Sequence, residues 1–175
     1  MKNQIVNCFV DFYWRLGILP FSIYVNLNEM ARKVKIINQS SNALPEYKTI
    51  GSSGMDVRAH TDTKIYIKPL ERSLIKTGLF LEMETGIEFQ VRPRSGLALK
   101  QGLTVLNTPG TIDADYRGEI GVILVNLSNE TVCIENGDRI AQLVFAKIET
   151  IDWVEVNNTD VTDRGTGGFG STGIK

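Results

Sequence analysis

From Lys33 onward, apolar residues recur at every second position in short runs such as Lys33-Val34-Lys35-Ile36-Ile37, Lys64-Ile65-Tyr66-Ile67 and Ile87-Glu88-Phe89-Gln90-Val91. A period of two places those side chains on one face of a half-buried strand. Glu119 to Leu127 and Ile140 to Ile148 are more continuously apolar and β-branched, as expected of strands covered on both sides or lying at a subunit contact. Turn residues Gly51, Gly54, Pro69, Gly78, Gly86, Pro93, Gly102, Pro109, Gly110, Gly118 and Gly137 punctuate this region, mostly at intervals of about 7–15 residues. The rhythm predicts an all-β antiparallel sandwich or jelly roll with no parallel βαβ repeat. One helical stretch is predicted over Ser95 to Gln101, with Ser95 as its cap.

The two ends break the pattern. Ile5 to Leu27 is largely apolar, but its longest uncharged stretch, Leu16 to Asn28, is shorter than the ~20 residues that span a bilayer. Asp11 and Arg15 inside the apolar region speak against a secretory signal. An added helix, a partner-binding segment or an extension upstream of the true start all fit. Met30, just ahead of the well-patterned unit, favours the last. The expected organisation is an N-terminal extension over 1–30, a β domain over 31–162 and a flexible arm over 163–175. From Arg164 to the end the chain carries five glycines and little to anchor a core, so taken alone it reads as a mobile tail.

With 42% hydrophobic content, 175 residues suffice for a single core. The balance of 19 basic against 20 acidic residues gives no global field for a nucleic-acid duplex or an anionic membrane, so any anion must be bound by a local cluster. Cys8 and Cys133 lack the spacing of a disulfide framework or a zinc site, and a reducing cytoplasm fits best. His60, the single histidine, precedes Thr61-Asp62-Thr63 and reads as an exposed loop residue.

Five segments carry candidate chemistry: Gly54-Met55-Asp56-Val57; Pro93-Arg94-Ser95-Gly96-Leu97-Ala98; Asn107 to Gly118; Gly137-Asp138-Arg139-Ile140-Ala141-Gln142-Leu143; and the glycine-rich tail. Pro93-Arg94-Ser95-Gly96 offers a guanidinium, a hydroxyl and free amides at a helix start, which suits phosphate but equally suits a plain cap beside a surface arginine. Gly110 to Gly118 holds Asp113, Asp115 and Tyr116 in a turn. There an aspartate can orient a water and a tyrosine face can pack on a sugar, or both aspartates can simply hydrogen-bond their own backbone in a hairpin loop. Phe169 in the tail can stack on a base if the arm folds over a nucleotide, or belong to a disordered terminus. The tail is no dinucleotide or P-loop fingerprint, since no helix follows it.

In this order and at compatible spacing, the five segments resemble the five sequence motifs of the trimeric deoxyuridine triphosphatases, from about Lys33 to the C-terminus. The resemblance implies a jelly-roll-like (β-clip) domain with three active sites shared among three identical chains. It implies hydrolysis of dUTP to dUMP and pyrophosphate, which keeps uracil out of DNA and supplies dUMP for thymidylate synthesis. By the same resemblance Arg94, Ser95, Gly96 and Gln142 contact the phosphates, and Asn107, Gly110, Thr111 and Ile112 hold uracil and deoxyribose. Asp113 holds the attacking water as general base, and Tyr116 rejects a ribose. Arg164, Phe169, Gly170, Ser171 and Thr172 form the closing arm, with Phe169 stacking on uracil. Mg²⁺ bridges the three phosphates, and Asp56 reaches it through water. The partners implied are dUTP and further copies of the chain, not nucleic acid or a membrane. A deoxycytidine triphosphate deaminase shares the fold and an arginine–serine phosphate motif but needs a catalytic glutamate; a non-catalytic trimeric nucleotide-binding protein is the rival from another class.

Overall fold

The computed structural model describes residues 32–168. Within them the elements run β1 (Lys35–Asn38), β2 (Gly54–Arg58), β3 (Ile65–Ile67), β4 (Arg72–Lys76), β5 (Leu79–Glu82), β6 (Ile87–Arg92), α1 (Ser95–Gln101), β7 (Leu103–Val105), β8 (Gly110–Ile112), β9 (Gly121–Asn126), β10 (Val132–Ile134) and β11 (Arg139–Lys147). The strands form four antiparallel sheets, ordered β2-β11-β6-β8, β4-β9-β7, β1-β5 and β3-β10. An all-β jelly-roll-like domain with one short helix is thus what the alternation predicted.

The core forms where the inward faces of these short strands meet. Val57, Phe89, Val91, Leu124, Ile140 and Leu143 are all buried in it. At the centre of the largest sheet Phe89 pairs with Phe145 across β6 and β11, their rings edge-on at 5.9 Å. The continuously apolar β9 has only one face in the core. Val122 and Leu124 are buried, whereas its outward Ile123 pairs with Leu74, which is 61% exposed. Leu106, also exposed, donates its amide to the Ile123 carbonyl from the other side.

Two loops are built on one plan. Asn38 Oδ1 accepts hydrogen bonds from the amide and hydroxyl of Ser40, and Asn38 Nδ2 donates to the Asn42 carbonyl. Asn126 repeats this with Ser128 and Glu130. Each serine presses on a glycine in the left-handed region: a Cβ at Gly78 (φ +70°) or at Gly102 (φ +61°) would lie 2.8 Å from the serine nitrogen. Both sites therefore require glycine.

Three local expectations need correction. Ser95 does not cap α1; Arg94 holds that position in extended backbone (φ −91°, ψ 125°) with no side-chain cap bond, since a guanidinium only donates, and it donates to Asp56. His60 is half-buried rather than exposed, since its amide donates to the Lys76 carbonyl and its ring lies close to Gly78. The segment after Gly110 is not a hairpin turn: β8 pairs with β6, and β9 pairs with β4 and β7 in another sheet.

Candidate active site

On β8 the buried Gly110 and Ile112 flank the exposed Thr111, with the strand held by Val91, Gln90 and Phe89 of β6. A Cβ at Gly110 would sit 3.1 Å from Asn107 Nδ2, so glycine here leaves room for that amide. Beyond Ile112 the chain turns, the Tyr116 amide donating to the Asp113 carbonyl at 3.1 Å. Asp113 is exposed. Tyr116 is 46% exposed, and its hydroxyl donates to the Glu119 carbonyl at 3.0 Å. The phenol lies over Gly118, where a Cβ would come within 2.5 Å of Cζ. Thr111, Ile112, Asp113, Tyr116, Glu119 and Ile120 line a cavity of about 160 Å³. That is below the roughly 300–1,000 Å³ of pockets that enclose a drug-sized ligand, so it suits one part of a larger ligand.

A second cluster stands at the other end of the same sheet. Arg94 Nε donates to Asp56 Oδ1 at 2.9 Å, and Arg139 Nη1 donates to Asp56 Oδ2 at 3.1 Å. Arg94 Nη1 also donates to the Arg139 carbonyl. Two cations share one carboxylate, leaving a net positive centre beside Ser95 and Gly96, which are exposed at the start of α1. Gln142 stands between Asp56 and Arg92 in the strand register. Its amide crosses Gly54, where a Cβ would lie 2.6 Å from Oε1. Guanidinium groups and amide donors of this kind bind phosphate oxygens.

The fold brings Asp56, Arg94 and Gln142 together, and separately Asn107 with Gly110 and Thr111, Ile112, Asp113 with Tyr116. It does not bring the two groups together within one chain. Ile112 pairs with Phe89, so Asp113 leaves the sheet at the start of β6, whereas Arg94 follows its end. Gly110 lies opposite Val91, three residues before Arg94, whereas Asp113 lies beyond the pair at Phe89, five residues before it, and five extended residues span roughly 17 Å. Arg164 stands apart from both, its Nε donating to the Gly167 carbonyl in a local turn. Phe169, Gly170, Ser171 and Thr172 lie outside the described residues, as does the expected extension over 1–30.

A model of the dUTPase family matches residues 40–173. The chain belongs to this family. The deoxyuridine 5'-triphosphate nucleotidohydrolase of Finegoldia magna is 58% identical over 141 residues, spanning 81% of this chain and 99% of its own. That of Cytophaga hutchinsonii is 55% identical over 149 residues, spanning 85% and 97%. Among solved structures, the dUTPase of Staphylococcus bacteriophage 80alpha with dUPNHPP superposes with a TM-score of 0.73 at 26% identity, covering 82% of this chain and all of that one. For a dUTPase-family chain, three features of the site were missed in the sequence. Arg139 stands in the fourth segment without a role in the sequence, because its contact with Asp56, 83 residues away, arises only when β11 pairs with β2. Gly118 and Glu119 had no signal, because their contacts to Tyr116 depend on how the chain bends between two sheets.

Proposed function

We propose that the protein hydrolyses dUTP to dUMP and pyrophosphate, and the cavity bounded by Asp113 and Tyr116 carries this reading. Uracil and deoxyribose sit against Asn107, Gly110, Thr111 and Ile112. The Tyr116 ring packs where a ribose 2'-hydroxyl would collide. The Asp113 carboxylate takes a proton from a water as its oxygen bonds to the α-phosphorus; the bond to the bridging oxygen breaks, and pyrophosphate leaves. Arg94, Ser95, Gly96 and Gln142 grip the phosphates, and Arg139 adds a second guanidinium. The arm of Arg164, Phe169, Gly170, Ser171 and Thr172 closes over the nucleotide, which excludes water and fixes the reacting geometry.

The placement of Asp113 and Arg94 at opposite ends of β6 supports a site shared between copies of the chain. The outward row Leu74, Ile123 and Leu106 is apolar, with Leu74 and Leu106 exposed and Ile123 half-buried between them, as expected of a face buried between subunits. A homotrimer satisfies both. Among the described residues no group of three His, Cys, Asp or Glu could cage a cation, and both Asp56 oxygens accept from arginines. These residues fit Mg²⁺ carried on the triphosphate oxygens, with Asp56 reaching it through water at most; when bound, the ion neutralises charge on the leaving pyrophosphate.

The test incubates the protein with each deoxynucleoside triphosphate and with UTP, in Mg²⁺ and then in a chelator, beside Asp113→Asn. Pyrophosphate from dUTP alone, lost on chelation and on substitution, is the expected result. Ammonia from dCTP would point to a deaminase, and tight binding without turnover to a binding protein.

A further inference from the structure

Glu119 is fixed from behind the cavity by a segment that no motif includes. Its Oε1 accepts the Gly78 amide at 2.8 Å, and its Oε2 lies 3.7 Å from Lys76 Nζ. The next residue is held as firmly: the Ile120 amide donates to the Leu79 carbonyl, and the Ile120 carbonyl accepts the hydroxyl of Thr77, which is 1% exposed. Four consecutive residues, Lys76 to Leu79, therefore anchor two consecutive residues of the cavity wall. Gly78 is itself locked by its left-handed backbone against Ser40. Within this anchored wall the Glu119 carbonyl accepts the Tyr116 hydroxyl. A phenol that would otherwise turn freely about its side-chain bonds is thus tied to the core through Glu119.

We propose that Glu119 is a positioning residue for sugar discrimination: its carboxylate holds the Gly78 amide so that its carbonyl fixes Tyr116 at the place where a 2'-hydroxyl would collide. The proposal rests on the role given to Tyr116 above. A carboxylate accepting a backbone amide makes a charge-assisted bond, stronger than a neutral one. Losing it lets residues 118–120 relax, and the ring then yields to a ribose. The penalty falls on discrimination more than on turnover of the deoxynucleotide.

The experiment measures kcat and KM for dUTP and UTP in the full chain and in Glu119→Ala, Glu119→Gln, Tyr116→Phe and the Glu119→Ala/Tyr116→Phe pair, with thermal melting of each. Glu119→Ala is expected to lower the dUTP-over-UTP ratio of kcat/KM by about tenfold, through better use of UTP. Glu119→Gln keeps an acceptor for Gly78 and restores most of the ratio. Tyr116→Phe lowers the ratio similarly, and Glu119→Ala adds nothing on that background. A ratio unchanged in Glu119→Ala, with both substrates losing equally, overturns the proposal, as does additivity in the pair. If Glu119→Ala does not fold, an unchanged ratio in Tyr116→Phe alone overturns it. Absence of dUTP turnover in the unsubstituted protein instead marks failure of the proposed reaction.

Discussion

Gly118→Ala tests whether the Tyr116 ring is used where it stands. A methyl at position 118 would lie 2.5 Å from the ring Cζ and closer still to the hydroxyl, so the phenol must swing away. Two losses follow, in different quantities. Removal of the ring from the sugar face forfeits about 1 kcal/mol of substrate interaction, roughly a fivefold fall in kcat/KM for dUTP. The bond from the hydroxyl to the Glu119 carbonyl lies within the protein, and its loss costs folding stability instead, no more than about 1 kcal/mol because Tyr116 is 46% exposed. A loss of about 1 kcal/mol corresponds to a Tm lower by roughly 2–4 °C in a chain of this size. The assay follows pyrophosphate release over a range of dUTP concentrations, with melting curves in parallel. Gly51→Ala is the control, since a Cβ there meets nothing within 4 Å. If Gly118→Ala retains kcat/KM within about twofold of the unsubstituted protein, the ring is not packing on the sugar and the reasoning fails.

Three further outcomes follow from the same geometry. Arg94→Ala and Asp113→Asn should each abolish turnover, yet trimers reassembled from an equal mixture should recover about a quarter of the activity if the two residues act from different chains; assay of the mixture decides, and no recovery argues for a site within one chain. Asn126→Ala should destabilise by about 3 kcal/mol by leaving partners unsatisfied in the interior, whereas Asn38→Ala, at a half-buried site, should lose only ~1 kcal/mol; denaturant melts giving equal losses would contradict the burial argument. The Lys35 ammonium beside Glu82 holds its carboxyl below the usual carboxylate value of 4.5. A lowered folded value means stability present above the unfolded pKa and lost as the pH falls through the folded one. Glu82→Gln should accordingly lessen the drop in Tm on acidification, slightly because the pair is exposed, and leave the neutral-pH Tm within about 2 °C.

Much of this was legible in the chain because strands and turns are local. Alternation placed β3 and β6 to within a residue, and the stretch expected to be helical, Ser95 to Gln101, is the span of α1. The segments around Asp56, Arg94, Asp113 and Gln142 were legible as motifs because each keeps its chemistry within a few residues. What the sequence hid depends on pairing. Nothing local tells that β8 and β9 part into different sheets, and so the stretch from Asp113 to Gly118 read as a hairpin. Asp56 read as a carboxylate available to a cation, but folding sets it between two arginines separated from it by 38 and 83 residues. Ser95 looked like a cap because its type favours one, but helical backbone already begins at Ser95, which leaves Arg94 in the cap position with its guanidinium on Asp56 of β2.

The repeated asparagine–serine clasp has a consequence for how this domain can vary. Each copy is a three-part lock in which an asparagine and a serine two residues apart meet a glycine from another stretch of chain, and because the glycine faces the serine's backbone nitrogen, no exchange of the serine makes room for a side chain at Gly78 or Gly102. These two glycines are therefore closed to change whatever stands at 40 or 128. The lock at Gly102 secures the exit of α1, while that at Gly78 holds the amide that Glu119 accepts, so the same small device ends a helix in one place and braces a cavity wall in the other.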